Sequence, residues 1–239
     1  MDYQIAPYRV GDMMGEAWRL VQENFTIIVG IHSIGIILAA IINYFEPSEL
    51  WTTLLSFALA PISLGVTIKV LLDCLREEIP SMEACFNFAG PRYLKALATG
   101  LIYIVAVFVG LCLLIVPGIY IAIKFWLATT VSILEPISIK ESFGRAGDMM
   151  EGNYWRIIGL NILVGILFLV ALLVIPFVGH VLQAWMGQSD IVLFLTTVFT
   201  TLVSIIPNAF TSALVVIAYF GLRAKNEDIG DSILDELPR

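Results

Sequence analysis

The stretch LKALATGLIYIVAVFVGLCLLIVPGIYIAIKFWLATTVSIL, residues 94–134, decides the fold of this chain. Its only charged side chains are Lys95 and Lys124. As one unbroken helix it would be about 60 Å long, twice the hydrocarbon thickness of a bilayer. The Pro117-Gly118 pair stands near its middle, and this pair favours a turn. The stretch therefore predicts two membrane-crossing helices joined by a tight turn.

The chain as a whole is strongly apolar. Of its 239 residues, 59% are hydrophobic and 14% are charged, and its mean hydropathy is +0.92. These values exceed those of a soluble globular domain. Apolar runs bounded by charges, Pro or Gly predict an all-α, polytopic membrane protein, with six transmembrane helices near residues 25–44, 51–72, 94–116, 119–134, 155–177 and 191–222. We predict one membrane domain over 1–223 and an acidic cytoplasmic tail over 224–239.

Basic residues fall on one side of this arrangement. Lys and Arg stand before the first span, around the second and fourth connections, and after the sixth span. The connections at 45–50, 117–118 and 178–190 contain neither residue type. Since Lys and Arg in short loops mark the cytoplasmic side, both termini are predicted to be cytoplasmic.

Three polar stretches with apolar residues at helical spacing precede the odd-numbered spans. They predict amphipathic helices on the cytoplasmic interface near 10–24, 81–90 and 138–152, the second ended by Gly90-Pro91. The third opens with Ser138-Ile-Lys-Glu141, the pattern of a capping box. With the spans that follow them, the three stretches predict a weak internal repeat of one interfacial helix plus a two-helix hairpin.

Charged residues near the inner ends of the spans form the first candidate site. Glu135 ends the fourth span, and Arg145 and Arg156 lie on the same side of the membrane. Such a cluster can bind lipid headgroups or a partner. Alternatively, the three residues pair with one another and anchor the third interfacial helix.

Polar residues within the spans form the second candidate site. Lys124 either snorkels to the outer headgroups or serves a substrate or ion. In the sixth span a hydroxyl and amide face at steps of three or four either packs against other helices or lines a polar path, and Pro207 interrupts that span. The face comprises Thr197, Thr201, Ser204, Asn208 and Thr211.

Nothing in the sequence predicts catalysis. His32 is expected to pack within the bundle, because no carboxylates or thiols at local spacing converge on it. No nucleophile has a base at helical spacing, and the three cysteines lack metal-ligand spacing. We therefore predict no enzymatic activity, no metal and no cofactor.

The segment LLIVPGIYIAIKFWLATTVSILEPISIKESFGRAGDMMEGNYWRIIGL, residues 113–160, resembles the membrane-domain family of glycerophosphoryl diester phosphodiesterases and its stand-alone, uncharacterised prokaryotic relatives. The opening YRVGDMMGEAWRLVQENF resembles that family's entry helix. The resemblance rests on Pro117, Gly118, Glu135, Ser142, Phe143, Arg145, Gly152, Asn153, Tyr154, Trp155 and Arg156. It implies a six-helix unit of the prokaryotic cytoplasmic (inner) membrane without an established activity. The phosphodiesterase chemistry of fused relatives belongs to a soluble barrel with no counterpart in these 239 residues.

Two functions lead from the sequence, ahead of an intramembrane enzyme. The first is a non-enzymatic scaffold or accessory subunit that binds lipid or protein at its cytoplasmic face. The alternative is a small transporter or channel with a polar path along the sixth span. The expected partners are membrane lipids and a protein partner or second copy of the chain. No nucleic acid is expected, because the net charge is −7.

Overall fold

The structure is a computed structural model that describes residues 9–45, 49–187 and 190–227. Most of the predicted acidic tail, from residue 228 onward, lies outside the described residues. The described residues are mostly helical, and none of them forms a strand. The helices are α1 Val10–Glu23, α2 Phe25–Phe45, α3 Glu49–Leu75, α4 Met82–Leu113, α5 Ile115–Lys124, α6 Ala128–Leu134, α7 Ile139–Met150, α8 Tyr154–Met186 and α9 Asp190–Glu227.

Four segments within the described ranges are long and apolar enough to cross a bilayer. They are Thr53–Leu75, Met82–Leu113, Ile115–Leu134 and Ile205–Glu227. Shorter apolar segments at Phe25–Gly35 and Tyr154–Ile166 begin α2 and α8. These segments indicate a membrane location, while the number of six spans remains a prediction.

A reversal is present, but it lies at Leu114, three residues before the predicted turn, and Pro117-Gly118 belongs to the first turn of α5. Helix α4 ends at Leu113, and the extended backbone of Leu114 leads directly into α5. The hydroxyl of Tyr103 in α4 donates a hydrogen bond of 2.9 Å to the carbonyl of Ala122 in α5. A Cβ built on Gly118 would lie only 2.6 Å from the backbone nitrogen of Leu111. Glycine at this position therefore lets the two helices touch backbone to backbone.

The span predicted at 119–134 is two short helices, α5 and α6, separated by residues 125–127. The amide of Phe125 closes the last turn of α5 by donating to the carbonyls of Ile121 and Ile123. The amide of Ala128 then donates to the carbonyl of Phe125 across the break. Lys124 is the last residue of α5, so the charged side chain stands where the span is broken.

Gly90-Pro91 does not end a helix as the sequence predicted. Helix α4 runs from Met82 through Pro91 to Leu113, so the second amphipathic stretch is its first part. Proline usually clashes with the residue before it in a helix. Gly90 has no Cβ and therefore relieves that clash. Two further predicted boundaries are wrong. Helix α8 continues past Val178 to Met186, and α9 continues to Glu227, so residues 224–227 of the predicted tail are helical.

The amphipathic helices α1 and α7 pack against the bundle. Met13, Ala17 and Leu20 on the apolar face of α1 are buried, and Trp18 contacts Phe210 of α9 edge to face. In α7, Phe143 packs edge to face on Phe125 with ring centroids 5.3 Å apart. Protein therefore covers much of these apolar faces, and their position on the bilayer interface remains a prediction.

Helix α9 is the centre of the bundle. It contacts α1, α2, α3, α6, α7 and α8. Its C-terminal half is largely buried, including the large side chains of Tyr219 and Phe220. Helix α4, by contrast, exposes most of its apolar residues, as expected for a helix at the lipid-facing edge. Helix α9 consequently brings together side chains from six other helices.

Candidate functional site

Five side chains from α6, α7 and α9 meet at one end of the bundle. Glu135, which follows α6, accepts hydrogen bonds from the Tyr219 hydroxyl at 2.8 Å and from Nε of Arg145 at 3.4 Å. Arg145 also pairs with Glu227. Arg223 donates from Nε to Glu227 at 2.9 Å and from Nη1 to the Tyr219 hydroxyl at 3.3 Å. We call Glu135, Arg145, Tyr219, Arg223 and Glu227 the inner clasp.

The inner clasp balances its own charges, with two carboxylates against two guanidinium groups. The arrangement ties α7 and the end of α6 to α9, which favours the anchoring role over a headgroup site. Arg156, the third residue of the predicted cluster, is not part of it. Its Nη1 donates to Asn153 Oδ1 at 3.4 Å, and Lys225 donates to the same oxygen at 2.6 Å.

Lys124 packs beside α7. A Cβ built on Gly147 would lie 3.0 Å from Cε of Lys124. The Lys124 ammonium lies 5.6 Å from the ring centroid of Tyr120, and that ring stacks on Tyr154. Because the sequence assigns α7 to the cytoplasmic side, this contact conflicts with snorkelling to the outer headgroups. The lysine stem and its aromatic neighbours lie at the end of α5, where the predicted fourth span is interrupted.

A cavity of about 180 Å³ lies between α2, α3 and α9. We call it the α2–α3–α9 cavity. Five of its lining residues carry neutral hydrogen-bonding groups and three are apolar or glycine. The lining residues are His32, Gly35, Ser56, Leu59, Ala60, Ser63, Asn208 and Ser212.

Two of the three helices around this cavity contain proline beside it. Pro61 lies in α3 between Ala60 and Ser63, and Pro207 precedes Asn208 in α9. Proline inside a helix leaves the carbonyl four residues earlier without its usual partner. In membrane proteins such carbonyls are found where neighbouring helices, side chains or waters can satisfy them.

His32 and Ser212 are hydrogen-bonded across the cavity wall. Nδ1 of His32 lies 2.8 Å from the carbonyl oxygen of Ile28, and Nε2 lies 3.0 Å from the Ser212 hydroxyl. A carbonyl can only accept, so Nδ1 carries the proton. In the neutral ring Nε2 therefore accepts from Ser212. The expected bundle-packing role of His32 agrees with its burial, but its partner came from a helix 180 positions away.

The predicted polar face of the sixth span is present only in part. Asn208 lines the cavity, whereas the Thr211 hydroxyl donates to the carbonyl of Pro207 at 2.8 Å. Ser212 takes the position one turn after Asn208, because a residue three or four steps away can occupy the same face. Thr197, Thr201 and Ser204 complete the predicted face, and they lie outside the part of the chain whose side chains the structure describes.

An ion pair in α3 was not predicted. Nζ of Lys69 lies 2.5 Å from Oδ1 of Asp73, and both side chains are nearly inaccessible. The spacing of four residues was the available signal. The pair was not predicted because Lys69 was counted only among the basic residues that mark the cytoplasmic side. The pair lies within the candidate span Thr53–Leu75.

Among the residues that the structure describes, no three His, Cys, Asp or Glu side chains converge as metal ligands. The prediction that the protein uses neither metal nor cofactor remains a prediction. Comparison with family models, curated proteins and solved structures gave no match to this chain. The resemblance to the phosphodiesterase membrane-domain family therefore also remains a prediction.

Proposed function

We propose that this protein is a small transporter or channel that admits a polar solute to the α2–α3–α9 cavity. Of the two functions open from the sequence, this one has a built site to support it. The observation that carries it is a cavity of about 180 Å³ lined by an imidazole, three hydroxyls and an amide. The proposed setting is the prokaryotic cytoplasmic membrane, with both termini inside.

Polar groups are costly to bury in a membrane protein. A hydroxyl or amide buried without partners costs several kcal/mol in hydrocarbon, so such groups collect where other groups or water can bond them. One water molecule needs roughly 10–15 Å³ of cavity volume. The cavity thus has room for several waters or a small solute that exchanges hydrogen bonds with its walls.

Cysteine accessibility tests the proposal. In a background lacking Cys74, Cys85 and Cys112, we would introduce Ser63→Cys or Asn208→Cys and add a membrane-impermeant thiol reagent. A solute path predicts that both positions react. Thr67→Cys is the matched control, since Thr67 lies one turn from Ser63 on α3 and is fully buried.

The control should stay unreactive, because a thiol reacts as the thiolate and a dry site disfavours that charge. Protection of both Ser63→Cys and Asn208→Cys would reject a solute path. Reaction at Thr67→Cys as fast as at the cavity positions would show general opening of the bundle, and would also count against a defined path.

The scaffold function stays a second prediction without a site to carry it. Glu135 and Arg145 hold the inner clasp, so neither offers an uncommitted charge to a headgroup. Native mass spectrometry of the detergent-purified protein separates the two functions. A retained small solute supports the transporter, whereas retained lipid or a bound protein supports the scaffold.

A further inference from the structure

We propose that Ser212 and His32 are a nucleophile and its general base, and that they hydrolyse a membrane-soluble carboxylic ester in the α2–α3–α9 cavity. The hydroxyl and Nε2 are 3.0 Å apart, within the reach needed for proton transfer. The carbonyl of Ile28 holds the other ring nitrogen at 2.8 Å. A nucleophile, a base and a group that orients the base are the parts of an activated serine.

The bond from His32 to Ile28 sets the tautomer that the reaction needs. It keeps the proton on Nδ1 and leaves the Nε2 lone pair directed at the Ser212 hydroxyl. When Nε2 takes a second proton, Nδ1 still donates to the same carbonyl. The ring can therefore change charge without turning away from Ser212.

Ser212 differs from other hydroxyls in the described helices. The hydroxyls of Ser33, Thr67 and Thr99 donate to the carbonyl four residues earlier in their own helix, at 2.7, 2.9 and 2.8 Å. That bond satisfies a hydroxyl locally and withdraws it from chemistry. Ser212 is bonded instead to an imidazole on another helix, and both residues line a cavity.

The reaction balances with water as the only co-reactant. The Ser212 oxygen attacks the ester carbonyl, its proton moves to His32 Nε2, and the carbonyl electron pair moves to oxygen. Collapse of this intermediate breaks the bond to the alcohol, which leaves with the Nε2 proton. Water activated by the same nitrogen then releases the acid from Ser212. The products are one carboxylic acid and one alcohol.

The surroundings indicate the substrate class. Asn208 lies one helical turn before Ser212 and lines the same cavity, so its amide is the candidate donor to the developing oxyanion. Leu59, Ala60 and Gly35 supply an apolar wall. Since α3 and α9 contribute candidate membrane spans at this level, an uncharged ester dissolved in the bilayer fits better than a charged, water-soluble one.

The test uses the full chain in detergent and an alkyl fluorophosphonate, a lipid-soluble reagent that phosphonylates activated serines. We expect mass spectrometry to find the modification on Ser212. Ser212→Ala should abolish it, and His32→Gln should slow it by about 10²–10⁴-fold, the usual contribution of a general base. Ser33→Ala is the matched control and should leave the labelling rate unchanged. The Ser33 hydroxyl lies next to His32 on α2, but it donates to the carbonyl of Val29 in its own helix and is not among the residues that line the cavity.

Three results would overturn the inference: no labelling of the wild-type chain, equal labelling of Ser212→Ala, or a folded His32→Gln variant that reacts at the wild-type rate. If His32→Gln does not fold, the comparison of Ser212→Ala with Ser33→Ala decides. Labelled cavity cysteines without a reactive Ser212 would reject this inference and leave the solute path standing. Protected cavity cysteines together with a reactive Ser212 would reject the solute path and leave this inference standing, because the fluorophosphonate enters from the lipid.

Discussion

At the scale of single residues, Glu141 shows how one charge fixes the start of a helix. Its carboxylate accepts a 2.7 Å hydrogen bond from the backbone N–H of Ser138, while the Ser138 hydroxyl accepts from the Glu141 amide. The hydrogen bonds from Ser138 hold the pKa of Glu141 below its usual value of 4.5. The capping box predicted from sequence is confirmed.

Glu141→Gln should lower the melting temperature at neutral pH and have less effect in acid. The folded-state pKa of Glu141 is below the unfolded-state value, so the stabilisation is complete above pH 4.5 and is lost as the pH falls through the folded-state pKa. Thermal unfolding in detergent across this range is the measurement. Asp148→Asn at the other end of α7 is the control and should not lower stability. A deficit in Glu141→Gln that persists in strong acid would contradict the prediction.

Tyr219 joins two charged side chains of the inner clasp through one hydroxyl. Tyr219→Phe removes only that hydroxyl and should lower the free energy of unfolding by about 1.5–3 kcal/mol, as for hydrogen bonds to charged groups. Tyr103→Phe removes a hydroxyl bonded to the neutral carbonyl of Ala122 and should cost about 0.5–1.5 kcal/mol. Denaturant titration in mixed micelles measures both. An equal or smaller loss at Tyr219 would show that the clasp adds little stability.

At the scale of elements, the α4–α5 turn depends on close backbone approach. A Cβ built on Gly110 would lie 2.9 Å from Cα of Gly118, so each glycine leaves room for the other. The backbone cannot move aside as a flexible side chain can. The two helices therefore need both glycines to pack as they do.

Gly118→Ala should destabilise the protein by about 1–3 kcal/mol, because the added methyl group overpacks this contact. Gly144→Ala is the matched control, since nothing lies within 4 Å of a Cβ built on that residue of α7. It should raise stability by roughly 0.5–1 kcal/mol through the helix propensity of alanine. The midpoint of thermal unfolding measures both changes, and a lower midpoint for Gly144→Ala than for Gly118→Ala would refute the account.

At the scale of the whole molecule, α9 connects the two candidate sites. Asn208 and Ser212 face the α2–α3–α9 cavity, while Tyr219, Arg223 and Glu227 form the inner clasp further along the same helix. The inner clasp fixes the end of α9 against α7 and the end of α6. The helix that lines the cavity is thereby held at one end by ion pairs and hydrogen bonds.

The orientation of the whole chain is a prediction from the one-sided distribution of Lys and Arg. Reporter fusions at both termini should report a cytoplasmic location. A fusion after Gly187, where α8 has ended, should report the opposite side. A cytoplasmic signal from that fusion would reject the arrangement, and exchange of the reporter for one active only outside the cytoplasm provides the control.

The helical class, the long apolar helices, a reversal within residues 94–134 and the capping box at Ser138 followed from the sequence alone. Each depends on neighbouring residues, through hydropathy, turn chemistry or hydrogen bonds within one helical turn. The continuation through Pro91 was mispredicted because the rule for proline was applied without the relief that Gly90 provides. The break after Lys124 was also missed, since both halves are equally apolar.

Only the tertiary structure decided which distant side chains meet. Glu135 and Arg145 could be read as inner charges, whereas Glu227 was assigned to the acidic tail. Their meeting with Tyr219 and Arg223 required the packing of α6 and α7 on α9. The contact between His32 and Ser212 joins residues 180 positions apart. Helical periodicity orders side chains along one helix, whereas the packing of helices determines which faces touch, and that is why the sequence contained no signal for this pair.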